Sequence, residues 1–173
     1  RRSQIVNNCN TINLSSVSFV IPVFNKEKYL TYVLDSLHNQ TGSFKREFIF
    51  INDGSTDGSL ELLRSKTKDW KNCKIVSQEN RGSAAATNVG IKLSRNKYIK
   101  FLDADDLILY SATEKLLRII DGDKNINLVY GLQRKVKDFS KVDLNLKINS
   151  SDLIKIEDPI KSAMTNSMFK SAM

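Results

Sequence analysis

Three acidic residues fall within four positions in the stretch Asp103-Ala104-Asp105-Asp106, directly after an apolar run, and a second acidic position, Asp53-Gly54, follows another such run. Grouped carboxylates repel one another unless a cation or hydrogen-bond donors balance them. A divalent ion is the simplest balance: Mg2+ or Mn2+ prefers oxygen ligands, keeps several waters, and uses one or two carboxylates together with the phosphates of a bound nucleotide. Plainer explanations exist. Asp-Gly is a strong turn signal, which accounts for Asp57-Gly58 outright, and Asp is favoured at helix starts. A cap needs one carboxylate, however, and the 103–106 stretch offers three.

Other chemistries lack their residues. His38 is the sole histidine and sits between Leu37 and Asn39 in a helical pattern, so a Ser-His-Asp triad or a two-histidine metal site has no partners and His38 reads as structural. Gly54-Ser55-Thr56-Asp57-Gly58 carries Thr at its centre and is no nucleophile elbow. Neither a GxxxxGK[ST] loop nor a GxGxxG occurs. Cys9 and Cys73 lie far apart without a CxxC, which fits reduced thiols in a cytosolic chain and excludes a zinc module.

These candidates need a frame. VSFVIPV (Val17–Val23) is β-branched and continuously apolar, the pattern of a strand buried on both faces. Tyr29, Leu30, Val33, Leu34 and Leu37 then lay one apolar stripe on a helix starting near Lys26. The alternation repeats with EFIFIN (Glu47–Asn52) and a helix from Ser59, CKIVS (Cys73–Ser77) and a helix over Ala84–Leu93, and YIKFLD (Tyr98–Asp103). A further helix carries Leu116, Leu117 and Ile120, with Ser111 and Glu114 at capping-box spacing. Strand-helix alternation predicts a parallel sheet with right-handed crossovers. In such a sheet ligands sit beyond the carboxyl ends of the strands, where Pro22 to Asn25, Asn52 to Gly54 and Asp103 to Asp106 fall. INLVYGL (Ile126–Leu132) reads as another strand, and residues 134–149 as a hairpin or loop.

At 173 residues with 40% hydrophobic content the chain is one globular domain that needs no disulfide or metal to fold. Its net charge of +8 is spread along the sequence; the densest basic stretch, Arg64, Lys66, Lys68, Lys71 and Lys74 around Trp70, reads as a solvated helix end. Aromatics are not interleaved with basic residues as in RNA binders, so no nucleic-acid partner is expected. No apolar run approaches the ~20 residues of a membrane span. The opening Arg1, in place of Met, suggests processing or trimming.

Taken together, VSFVIPVFNKEKYL, FIFINDGSTDGS, QENRGSAAATNVGI and YIKFLDADD, in this order and spacing, resemble the family-two glycosyltransferases of the GT-A fold. The resemblance covers roughly residues 17–133 and extends faintly to Met173. It implies an α/β GT-A fold, Rossmann-like, with a mostly parallel open sheet flanked by helices. Residues 1–16 would be a loose leader, 17–133 the nucleotide-sugar-binding part, and 134–173 the start of an incomplete acceptor part. It also implies transfer of a sugar, with inversion, from a nucleotide-sugar donor (a UDP-sugar first) to a glycan or lipid-linked acceptor, in cell-surface polysaccharide or glycolipid synthesis. The setting would be cytoplasmic or peripheral at the inner membrane face, with contact to anionic lipid.

Carried onto this sequence, Pro22, Val23, Asn25 and Glu27 resemble the wall of the nucleotide pocket. Asp53, with Gly54, matches the carboxylate that accepts from the base's ring N–H. Asn80 and Gly82 match the donor-side loop, with Gly82 letting the chain pass close to the nucleotide. Asp103 and Ala104 match the ribose side, and Asp105, with Asp103, the ligand of Mn2+ or Mg2+. Two departures stand out. Thr87 replaces an arginine the family often has, for which Arg81 is the nearest substitute. The family's general base follows a segment like Asn166–Met173, so it is expected beyond Met173; Asp152, Glu157 and Asp158 precede that segment. Two other readings compete. A haloacid-dehalogenase-like phosphotransferase would use Asp103-Ala104-Asp105 as the start of a DxDx[TV] motif, but Leu107 stands at its fifth position. A non-catalytic module would bind anions through net charge alone.

Overall fold

The computed structural model describes residues 16–131 and 133–146. Four strands, β1 (Ser16–Val23), β2 (Lys45–Asp53), β3 (Cys73–Gln78) and β4 (Tyr98–Phe101), form one parallel sheet in the order β3-β2-β1-β4. Helices α1 (Glu27–His38), α2 (Ser59–Thr67) and α3 (Ser83–Leu93) join them in turn, and α4 (Ala112–Gly122) follows β4.

The two central strands are the ones with continuous apolar sequence, because both of their faces are covered. Phe19, Ile21, Phe48 and Phe50 point to one face, where Leu30, Val33, Leu34 and Leu37 of α1, Leu63 of α2 and Leu117 of α4 are buried against them. Phe19 stands opposite Phe48 in the register and the rings stack at 5.2 Å. Trp70 closes this layer edge-on to Phe48 at 4.8 Å. Ile49, Ile51 and Ala86 are buried on the other face, where α3 packs. A Cβ on Gly90 would lie 2.3 Å from Val20 Cγ1, so α3 approaches β1 more closely than any side chain there would allow.

The faces follow from handedness. The chain moves outward from β1 through β2 to β3, then crosses back over β2 and β1 to reach β4; right-handed crossovers in opposite directions place α3 opposite α1 and α2. The direction of travel reverses between β1 and β4, which makes the crevice beyond their carboxyl ends the switch point where open α/β sheets bind ligands.

Three local expectations are corrected. Ile126–Gly131 pair with no strand, and Leu128 and Tyr130 are exposed. Apolar content becomes a strand only where a ladder is available, and the outer edge of β4 carries none among the described residues. Ser111 precedes α4 but makes no side-chain cap, its backbone being already helical (φ −92°, ψ −1°), and Glu114 instead accepts from Arg118 at 2.7 Å. β4 stops at Phe101; Asp103 to Asp106 form a turn closed by Asp106 N–H donating to the Asp103 carbonyl at 3.0 Å. Residues 134–146 are a loop with one 3-10 turn, Phe139–Lys141, whose Phe139 ring packs on Tyr29 and Tyr32. The leader up to residue 15, Cys9, and the segment from 147 to 173 lie outside the described residues.

Candidate functional site

The loops after β1 and β2 are tied together by their own polar side chains. Asn25 adopts a left-handed backbone (φ 51°), which Asn tolerates better than most residues, and its Oδ1 accepts from Thr56 N at 2.8 Å and Asp57 N at 3.4 Å. The Asn25 and Lys26 amides donate to Ser55 Oγ and Ser59 Oγ, and Glu27 Oε2 accepts from Gly58 N at 2.9 Å. Asp57 accepts from the Ser59 and Glu27 amides; burial works to raise its carboxyl, but these hydrogen bonds prevail and hold it below the usual range. Asn25 and Glu27 thus spend their side chains on shaping the loop. Val23 is wholly buried and Ala104 nearly so, both in the core, leaving their backbone groups alone to face a ligand.

Asp53 ends β2 at 2% exposure. Its Oδ1 accepts from Gln78 Nε2 at 2.7 Å and from the Arg81 amide at 2.9 Å, which fastens the β3–α3 loop to the end of β2. Among the described residues no donor reaches Oδ2. No fully buried side-chain polar atom among the described residues lacks a partner, so Oδ2 is not sealed in the core. Gly54 follows with φ 72°, and a Cβ on it would sit 2.8 Å from Asn80 N: the two loops touch where only glycine fits. Gly82 (φ 86°, ψ 157°) occupies a region essentially confined to glycine and heads α3, with open space where a Cβ would be. Arg81 is exposed beside it, whereas Thr87 lies half-buried one turn into α3.

Across the crevice, alternation around the 103–106 turn sends Ala104 inward and leaves Asp103 exposed and Asp105 and Asp106 partly so. Burial raises the Asp106 carboxyl, neighbouring Asp103 and Asp105 raise it further, and Lys26 opposes them. The cation set against this group is the Lys26 ammonium, 2.5 Å from Asp105 Oδ2. Sequence reasoning passed over Lys26 and Gln78; the signal for Lys26 was its place as the basic residue between the β1 end and α1. Among the described residues no three His, Cys, Asp or Glu side chains converge as a ready-made metal cluster. An ion that brings phosphate and water ligands with it needs only one or two carboxylates, and the all-oxygen pair Asp103 and Asp105 fits that requirement.

The remaining features lie elsewhere. His38 ends α1 with its ring 5.2 Å from Trp70, at the opposite edge of the sheet. Arg64, Lys66, Lys68 and Lys71 are exposed, while Lys74 pairs with Glu47 at 2.7 Å. Burial pushes the Cys73 thiol up, against a smaller effect of Thr67, so it is a poor nucleophile. A shallow cavity of about 260 Å³ lined by Tyr32, Leu107, Tyr110, Phe139 and Asp143 opens over α1. The DADD turn follows the last strand of the sheet rather than the first, against the phosphotransferase reading. No helix among the described residues is long and apolar enough to cross a membrane.

Known proteins resemble this chain in sequence and fold. The chain is 35% identical over 126 residues to the putative glycosyltransferase EpsH of Bacillus subtilis, covering 73% of this chain and 36% of EpsH. It is 30% identical over 136 residues to the chondroitin synthase of Escherichia coli, covering 79% of this chain and 20% of the synthase. The crystal structure of S. aureus TarS 1-349 in complex with UDP-GlcNAc superposes with a TM-score of 0.58 at 29% identity, over 62% of this chain and 32% of that one. The chain therefore spans about a third or less of the length of these relatives. The Glycosyl transferase family 2 model matches residues 18–169, most of the chain and all four loops that build the crevice, and the protein belongs to that family.

Proposed function

We propose that this chain captures the donor, a UDP-sugar, for an inverting, metal-dependent glycosyltransferase whose acceptor is a hydroxyl of a cell-surface glycan or glycolipid. The observation that carries the reading is Asp53: a buried carboxylate at the carboxyl end of β2 with Oδ1 occupied by two protein donors, which leaves Oδ2 for a ligand's donor. A carboxylate only accepts, which suits the ring N–H of uracil. The TarS complexes with UDP and with UDP-GlcNAc support the choice of nucleotide.

In this reading the loop from Pro22 to Glu27 walls the base, Asp103 meets the ribose, and the amides at the start of α3, opened by Asn80 and Gly82, face the diphosphate. Arg81 adds positive charge there, substituting for the family arginine that Thr87 replaces. Asp105, with Asp103, holds the divalent ion, Mn2+ or Mg2+. Such an ion offsets the charge that builds on the departing nucleoside diphosphate. The work is done at the inner membrane face, with any lipid contact peripheral.

The test is the thermal midpoint of the chain with UDP, GDP, dTDP or ADP, each with Mn2+ and with a chelator, beside Asp105→Ala. Ligand at 100 times its Kd stabilises by about 2.7 kcal/mol, about 5–10 °C at this size. The expected result is a shift with UDP and Mn2+ that Asp105→Ala loses. Equal shifts with all four nucleotides, or none with any, would overturn it.

A further inference from the structure

Lys26 is rooted where it cannot drift. Its amide donates to Ser59 Oγ at 2.9 Å and its carbonyl accepts from Tyr29 and Leu30 N–H in the first turn of α1. From there the side chain spans the crevice between the ends of β1 and β4 and places its ammonium on Asp105 Oδ2, a partner 79 residues away. The pair is not buried: the two side chains are 32% and 39% exposed. Lys26 pairs with Asp105 alone, while Asp103 and Asp106 stand in the same turn, so among the described residues the ammonium leaves the acidic turn with a net negative charge that still attracts a divalent cation.

We propose that Lys26 is a built-in counter-cation that occupies the Asp105 oxygen and competes for it with the divalent ion, so that metal enters only by displacing the ammonium. The inference rests on the reading of Asp105 as the metal's ligand. A lysine suits the task better than an arginine would, because its point charge sits on a flexible four-carbon stem that can swing into solvent, whereas a guanidinium fork grips a carboxylate bidentately. Partial exposure of both partners keeps the pair weak enough to yield. The pair also relieves part of the mutual repulsion of three adjacent acids. A merely structural ion pair would account for the contact too, but its loss would alter thermal stability and leave metal affinity alone.

The experiment is a calorimetric titration of Mn2+ alone, without nucleotide, into the chain and its variants Lys26→Met, Lys26→Arg and Asp105→Asn. Lys26→Met is expected to bind Mn2+ about 5-fold more tightly than the parent. Lys26→Arg, which keeps the charge, should bind no more tightly than the parent, and Asp105→Asn should lose the site. If the parent binds too weakly to measure, a site that becomes measurable in Lys26→Met supports the proposal, and none in either overturns it. Lys26→Met within twofold of the parent, with binding abolished in Asp105→Asn, would end the counter-cation role while leaving Asp105 as the ligand. Mn2+ binding unchanged in Asp105→Asn would remove the ligand assignment, and the competition with it.

Discussion

Asp53→Asn is the sharpest test of how the crevice reads a base. The substitution keeps shape, and the two donors on Oδ1, Gln78 Nε2 and the Arg81 amide, fix its orientation: the amide oxygen must face them, leaving the NH2 where Oδ2 stood. Two charge-assisted hydrogen bonds become neutral ones, a loss of about 1–2 kcal/mol, or about 2–8 °C in thermal midpoint. At the crevice the change is larger in kind, because an acceptor becomes a donor facing the uracil N–H. Loss of a charge-assisted bond of about 1.5–3 kcal/mol weakens UDP binding about 10- to 150-fold. Cytosine carries an acceptor at the same ring position, so CDP should gain, or at least lose nothing, in the variant. Isothermal titration of both nucleotides with Mn2+, on parent and variant, reads the ratio directly. An equal loss for UDP and CDP, or a UDP affinity within threefold of the parent, would refute the argument.

Two further outcomes are expected. Gly54→Ala sets a left-handed backbone of about 1–2 kcal/mol cost on top of a 2.8 Å approach to the Asn80 amide, so it should lower the melting temperature by several degrees and weaken UDP binding together. Gly58→Ala, whose Cβ would have the end of the Glu27 side chain as its nearest neighbour, a flexible group rather than backbone, should do less in the same melts. Glu47 supplies a pH dependence: burial pushes its carboxyl up, but Lys74, Ser18 and the Arg95 amide outweigh that and hold it below its ordinary value. A depressed carboxyl stabilises above its unfolded pKa and loses that contribution as pH falls below it. The parent's melting temperature should therefore drop more steeply below about pH 4.5 than that of Glu47→Gln, and parallel curves would count against the network.

Much of this was legible in the sequence because parallel α/β architecture writes itself in local patterns. Continuous apolar runs fell on the doubly covered β1 and β2, and the stripe Leu30, Val33, Leu34, Leu37 fell on one buried helix face. The strand ends followed, and with them Asp53 and Asp105. What stayed hidden was set by partners distant in the chain. Whether Ile126–Gly131 forms a strand depends on a ladder beside β4, which no local pattern encodes. Whether Ser111 caps depends on a backbone angle. The Lys26 contact joins residues 79 positions apart, and sequence reasoning balanced the acids with a metal because it could not see that an ammonium was within reach. Gln78 entered only as the first residue of QENRGSAAATNVGI, although its amide, donating to Asp53 Oδ1, fixes which oxygen of that carboxylate is left for a ligand.

The strand order also bears on when a working crevice can exist during synthesis. β1 and β2 emerge first and β3 adds beside β2, so the outer half of the sheet can assemble while the ribosome is still adding residues. The opposite wall waits for β4, whose pairing with β1 must close a loop through β2, α2, β3 and α3. Long-range parallel pairing of this kind is slow, because chain entropy is lost before any contact compensates it. Until then the flank of β1 that β4 will cover is an open edge, able to pair with a strand of another nascent chain. A mutation that weakens β4 would accordingly show itself first as aggregation during expression, before any fault in nucleotide binding could be measured.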